Sequence, residues 1–328
     1  MTLFLSELLC LMDQQSDIIC SAYAASTQAN FRNHWNQFLQ FMIDNDCQIF
    51  PPVEYNVSLF LIAYRNKGNS YGTINNMLSS IKTFYALYNC ELDTANPAIK
   101  LIMQAFKRTV SSCSQQRLPI EPAHLLFFVQ ATDFKDSHQL AMLAAILLGF
   151  FAALRVSNVV PVSPAKYDPH CDLSRGDVVF TQDGLVANLK WSKTLQDHAS
   201  IASIPVAAPP VGSSVNPVAI IANFFHSHPV HSIDPCFSYY KDGRLHVVTR
   251  SAINAHIKDL MLHYGVCPDR YSSHSLRRGA ATLATHSGVH QSLLQSHGTW
   301  RSMAYQRYVD FSYQDKLSVT QNMYKHFQ

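Results

Sequence analysis

From Gln139 to Leu154 the chain reads QLAMLAAILLGFFAAL, a run without a charge that ends on Arg155. A helix of this composition is apolar on every side, which suits a core position rather than a surface one. It is too short to cross a bilayer comfortably, and an arginine closes it. The prediction is therefore a buried core helix that delivers a cation, Arg155, at its end. A chain of 328 residues, 48% hydrophobic and 14% charged, has the material to enclose such a helix and to form two domains.

The front third reads as helical. In TQANFRNHWNQFLQFMIDND, Phe31, Trp35, Phe38, Leu39 and Met42 fall on one face. In SYGTINNMLSSIKTFYALYN, Ile74, Met77, Leu78, Ile81, Phe84 and Tyr85 do the same. Pro51-Pro52 and the stretch NKGNS break the pattern between helices. The polar, Pro-bounded VSSCSQQRLPIEP at 110–122 reads as a linker. The expected division is a helical domain at 1–112, a linker at 113–121 and a second domain at 122–328 that includes a C-terminal tail. Within the second domain the period changes. Asp183-Gly184 separates two β-prone runs, a hairpin signature, and Leu185, Ala187, Leu189 and Trp191 alternate with Val186, Asn188, Lys190 and Ser192. A third strand is expected around Ile201–Pro205, which puts Lys193 and Thr194 in the turn after the second. From residue 215 onward the chain reads as mostly helical. The fold class is mainly α with a small antiparallel β-sheet.

Charge and cysteines narrow the setting. The net charge is +3. Up to residue 115 there are 7 Lys+Arg against 8 Asp+Glu, or −1, and the remainder has 18 against 14, or +4. The positive bias lies in the second domain and is weak. Eight scattered cysteines without a CxxC pair suit free thiols in a reducing, intracellular compartment. The start, MTLFLSELLCLMDQQSD, lacks a basic n-region, so no signal peptide is expected. HSHPVH at 226–231 lies in a Pro-containing stretch without Cys or acidic partners and is not expected to bind zinc.

In SSHSLRRGAATLATHSG, His274 precedes Arg277 by three residues, nearly one helical turn, so the two side chains can converge at the start of an Ala-rich helix. Three further pieces accompany it: ALRVSNV with Arg155, LKWSKT with Lys193, and GTWRSMAYQRYV with Trp300 and Tyr308. In this order the set resembles the catalytic domain of the tyrosine recombinases, the phage-integrase superfamily, over about 120–312. The tyrosine eight residues after the tryptophan is most similar to recombinases of Crypton and DIRS-type mobile elements. The helical front resembles that family's core-binding domain in layout, without a sharp motif.

The resemblance implies a site-specific DNA strand transferase with Arg155, Lys193, His274, Arg277, Trp300 and Tyr308 as catalytic residues. Tyr308 would attack the scissile phosphate and leave a 3′-phosphotyrosine and a free 5′-hydroxyl. Two guanidiniums, Arg155 and Arg277, suit the charge on the non-bridging oxygens. Lys193 is the candidate acid for the departing oxygen, with Lys190 as the alternative. His274 would position the phosphate or relay a proton, and Trp300 would donate its indole N–H. No metal or other cofactor is expected. Tyr305, Tyr313 and His297 compete for the nucleophile and third-histidine roles, but Tyr308 and Trp300 fit the family spacing. Arg278 is expected to turn to the DNA backbone or an ion pair, and Gly279 to permit close backbone approach. Two departures stand out: Asn158 replaces the acid many relatives carry three residues after the first arginine, and Ala153 replaces the usual glycine.

The implied partner is double-stranded DNA, clamped by both domains and recombined by a homotetramer. The tail SYQDKLSVTQNMYKHF has the length for a helix that docks on a neighbouring subunit or packs in cis. The localisation follows the host: nucleus or cytoplasm, not membrane. Two other readings share these residues, a non-catalytic DNA-binding protein retained by a host and a monomeric relaxase like the type IB topoisomerases.

Overall fold

A computed structural model describes residues 18, 22–109, 117–190, 201–300, 306 and 309. The chain divides into two compact units, Met1–Ser114 and Gln115–Gln328. Leu118 and Ile120, expected in the linker, are bound into the second unit by backbone hydrogen bonds: Leu118 N–H to Arg270 O (2.8 Å) and Ile120 N–H to Ser275 O (3.0 Å).

The first unit holds helices α1 (Ala25–Asp44), α2 (Glu54–Asn66), α3 (Tyr71–Leu87) and α4 (Pro97–Thr109). The stripes read from the sequence are its core. Trp35, Phe38 and Met42 of α1 face Ile74, Met77, Ile81 and Tyr85 of α3, with Phe60 and Leu61 of α2 beside them. Trp35 stacks on Phe84 at 4.5 Å and meets Tyr85 edge-on at 5.2 Å. Such pairs add about 0.5–1.5 kcal/mol to the gain from burial. The one polar atom Tyr85 carries inward is satisfied: its hydroxyl donates to Ile49 O (2.8 Å). Burial pushes its pKa up, so it remains a neutral donor.

The second unit is built around α6 (Ser137–Phe151), preceded by α5 (Pro122–Ala131). Every residue of α6 from Leu140 to Phe150 is buried, as the uncharged run requires. Asp136 caps it, accepting from His138 N and Gln139 N. Strands β1 (Val178–Thr181), β2 (Gly184–Leu189) and β3 (Ala202–Ala207) form an antiparallel sheet in the order β1-β2-β3. Leu185, Ala187 and Leu189 point into the core while Val186 and Asn188 are partly exposed, so the period-2 reading sets the face correctly. Helices α7 (Pro217–Ser227), α8 (Arg250–His263), α9 (Ser273–His286) and α10 (Gln291–His297) complete the unit.

One element departs from the expectation that the chain past residue 215 is mostly helical. Strands β4 (Ser238–Lys241) and β5 (Arg244–Val247) form a second hairpin. Its turn is Asp242-Gly243, with φ of 53° and 73°, the two left-handed residues that match strand twist. Arg175 fastens this region from within. It is 7% exposed and stacks over Phe225 at 4.0 Å. Its guanidinium donates to the carbonyls of Cys236, His228 and Ser238. Among the described residues no helix is long and apolar enough to cross a membrane.

Candidate active site

Arg155 and Trp300 reach the same place by the same backbone device. At the end of α6, Leu154 N–H returns to Gly149 O (2.9 Å), and the residue before it, Ala153, sits at φ 48°. At the end of α10, Trp300 N–H returns to Gln295 O (2.9 Å), and Thr299 sits at φ 53°. This is the left-handed helix ending usually assigned to glycine. An L residue there costs roughly 1–2 kcal/mol, more for a β-branched one. The strain accompanies two candidate site residues, a pattern seen where a surrounding structure over-determines a functional geometry. Ala153, where the resemblance leads one to expect glycine, is one of these left-handed positions.

Arg277 joins these two helix ends. It projects from α9 and is 1% exposed. Its Nη1 donates to Ala153 O, and its Nη2 to Gly298 O at 2.7 Å. Its guanidinium carbon lies 3.8 Å from the centre of the Trp300 ring. The indole in turn covers Gly298, where a Cβ would fall 1.7 Å from the ring. The glycine of GTW is therefore required by the tryptophan that follows it. Trp300 packs with Ala153, Ala281, Leu294 and Val309. Val309 is the residue after Tyr308 in the sequence.

His274 is exposed at the first turn of α9, while Arg277 is buried one turn later. The two remain electrostatically coupled. Displacement of water by the surrounding protein, and then the charges of Arg155, Arg277 and Arg117, hold the His274 ring below the ordinary histidine range. Arg155 Nη1 is buried and has no hydrogen-bond partner among the described residues. Asn158, where relatives carry an acid, is also buried and adds no negative charge. The described part of the site is thus rich in positive charge, an arrangement suited to an anion with several oxygens.

Three sites from the sequence reading meet here, Arg155, Arg277 and Trp300, with His274 beside them. Lys193 and Tyr308, like Tyr305 and Tyr313, lie outside the described residues. Lys190, the alternative acid, is committed elsewhere: its Nζ pairs with Asp177 (2.6 Å) and donates to Ser174 Oγ (2.7 Å) and Pro169 O (2.6 Å). His297 Nε2 donates to Phe151 O (2.9 Å), a structural tie. Arg278 is buried. In HSHPVH, His228 shares a hydrogen bond with Ser137 Oγ (2.8 Å) and stacks on Phe224. The residue the sequence reading missed is Arg117. No local pattern marks it, because its partner Asp269 is 152 positions away.

Gly279 meets its expectation of close approach. A Cβ there would fall 2.0 Å from Ile120 O and 2.9 Å from the Phe150 ring. Gly279→Ala is expected to destabilise the second unit by about 3 kcal/mol, the upper end of overpacking costs, because the obstacle is backbone rather than a flexible side chain. A lowered urea midpoint with an unchanged slope would show it. An unshifted midpoint would mean that α9 and the 118–120 segment are further apart than described.

No protein-family model matches this sequence, and no curated protein is similar to it. Solved structures are. The Tn1549 transposon integrase in complex with a circular intermediate DNA superposes with a TM-score of 0.61 at 14% identity, over 95% of this chain and 98% of that one. The XerH site-specific recombinase bound to its palindromic difH substrate, a post-cleavage complex, gives 0.61 at 12% identity, over 96% and 85%. A lambda integrase dimer bound to a COC′ core site gives 0.58 at 14% identity, over 91% and 93%. At this identity the likeness is one of fold: the chain has the fold of the tyrosine recombinases and integrases.

Proposed function

We propose that this protein is a site-specific DNA recombinase that cuts and rejoins strands through a 3′-phosphotyrosine. The observation that carries the reading is the cluster at the end of α6. Arg155, whose buried Nη1 has no partner among the described residues, lies with Arg277 close enough to His274 for both charges to depress its pKa. Two permanent cations near one spot suit the non-bridging oxygens of a phosphodiester, whose charge grows as the phosphorus is attacked. The phenol oxygen of Tyr308 forms the new bond to phosphorus. The bond to the 5′-oxygen breaks, and Lys193 gives that oxygen its proton. His274, neutral at neutral pH, is suited to accept the phenol proton. Attack of a 5′-hydroxyl from another duplex on the phosphotyrosine reverses the step and releases the enzyme. The neighbours' DNA complexes support duplex DNA as the substrate, and exchange between two duplexes implies a tetramer with four such sites. The Trp300-to-Tyr308 spacing supports placement among the Crypton- and DIRS-type mobile-element recombinases. Acting on DNA puts the protein inside the cell, in a eukaryotic nucleus or a prokaryotic cytoplasm.

The test is covalent capture. A nicked suicide duplex from the ends of the element that carries the gene should give a protein–DNA adduct resistant to denaturant. The adduct should form undiminished in EDTA and without ATP, since arginines supply the charge a metal would. Binding without any adduct would favour a DNA-binding protein that has lost catalysis. An adduct that appears only with Mg²⁺ would overturn the mechanism.

A further inference from the structure

Arg117 is the first described residue of the second unit, and the segment that follows it runs alongside the start of α9. Leu118 N–H bonds to Arg270 O and Ile120 N–H to Ser275 O, so residues 117–120 are laid against the 270–275 segment that carries His274. Among the described residues the Arg117 guanidinium is steered by a bond from Nη1 to the carbonyl of Asp269. No ion pair among the described residues joins it to the carboxylate of Asp269, which pairs with Lys258 Nζ at 3.0 Å. Among the described residues Arg117 makes no ion pair, and its side chain is exposed. An exposed arginine held at a backbone carbonyl beside the site, with no ion pair among the described residues, is arranged to meet an anion.

We propose that Arg117 binds a backbone phosphate of the DNA duplex next to the scissile one, extending the cradle formed by Arg155 and Arg277. The inference rests on the recombinase reading and adds a residue to it. Its charge already reaches the site, being one of the three that lower the His274 pKa. A second phosphate contact, from the segment bonded alongside the one that carries His274, would fix the register of the strand across the site without reading any base.

The test uses the full chain and a fluorescein-labelled duplex of arbitrary sequence, with affinity followed by anisotropy over a range of NaCl. Each phosphate contact contributes about 0.9 to the slope of log K against log salt. Arg117→Gln should lower the slope by about that amount, and Arg117→Lys should restore it. Melting curves check that the variants are folded. In the wild-type protein the same duplex should slow phenylglyoxal modification of Arg117, read by peptide mass spectrometry, whatever the variants do. A wild-type slope in Arg117→Gln, or unprotected Arg117 in the complex, would overturn the proposal and leave the recombinase reading standing. A wild-type protein whose affinity for duplex does not depend on salt would overturn both.

Discussion

Tyr308→Phe is expected to bind duplex DNA as the wild type does and to form no covalent adduct. The substitution removes one hydroxyl and no charge, so the phosphate contacts that supply affinity are untouched. What disappears is the atom that bonds to phosphorus. Losing a nucleophile costs on the order of 10⁴–10⁶ in rate, which takes capture below detection on a suicide substrate. Tyr305 and Tyr313 are the alternatives, three residues before and five residues after. Val309, next in sequence to Tyr308, is buried against Trp300 and Ala153, the residues that Arg277 stacks on and bonds to. That packing ties the chain at Val309, the residue after Tyr308 in the sequence, to the arginine cluster. An adduct that persists in Tyr308→Phe, mapped to Tyr305 or Tyr313, would show the tie is not the catalytic one.

Much of this arrangement was legible in the sequence because it is local. The α1 and α3 stripes, the uncharged α6 and the alternation of β2 are periodic signals, and periodicity is set by the nearest turn or the next residue. HSLRRG was legible because one helical turn relates its members. What escaped reading depends on distant parts. Arg117 meets Asp269, and Arg175 meets Ser238 63 positions on, through contacts with no imprint on neighbouring residues. The helix endings at Ala153 and Thr299 escaped because the signal for a left-handed residue is glycine or asparagine, and neither is present. Their strain is sustained by the tertiary structure: Arg277 holds Ala153 O, and Trp300 packs down on Gly298. The β4–β5 hairpin is a different case. Asp242-Gly243 carries the same signature as Asp183-Gly184, but its strands are four residues long and lie between helices. That leaves the alternation too short to stand out.

Lys193→Ala is expected to slow cleavage by roughly 10²–10⁴-fold, the cost of losing a positioned general acid. A sulfur substitution tells that role from any other. When the bridging 5′-oxygen becomes sulfur, the leaving group departs with little need of a proton, so Lys193→Ala should recover most of its rate. Arg277→Gln should not recover, for two reasons. Its charge serves the non-bridging oxygens, which are unchanged, and its loss also strands the carbonyls of Ala153 and Gly298 and the face of Trp300. Lys190 is the informative control. Its ammonium already has a carboxylate at 2.6 Å and two further oxygen acceptors, at 2.6 and 2.7 Å. Delivering a proton from there would mean breaking a partly buried ion pair for each turnover. Lys190→Ala should therefore leave Asp177 unpaired and lower stability, but it should show no preferential recovery on the sulfur substrate. Binding by each variant is measured first, because a lost phosphate contact mimics a lost acid when the complex is not saturated. Sulfur rescue of Lys190→Ala and not of Lys193→Ala would transfer the acid to Lys190 and require its pair with Asp177 to open on DNA. Rescue of Arg277→Gln would mean that the buried guanidinium acts on the leaving oxygen, and the division of labour between the arginines and the lysine would have to be redrawn.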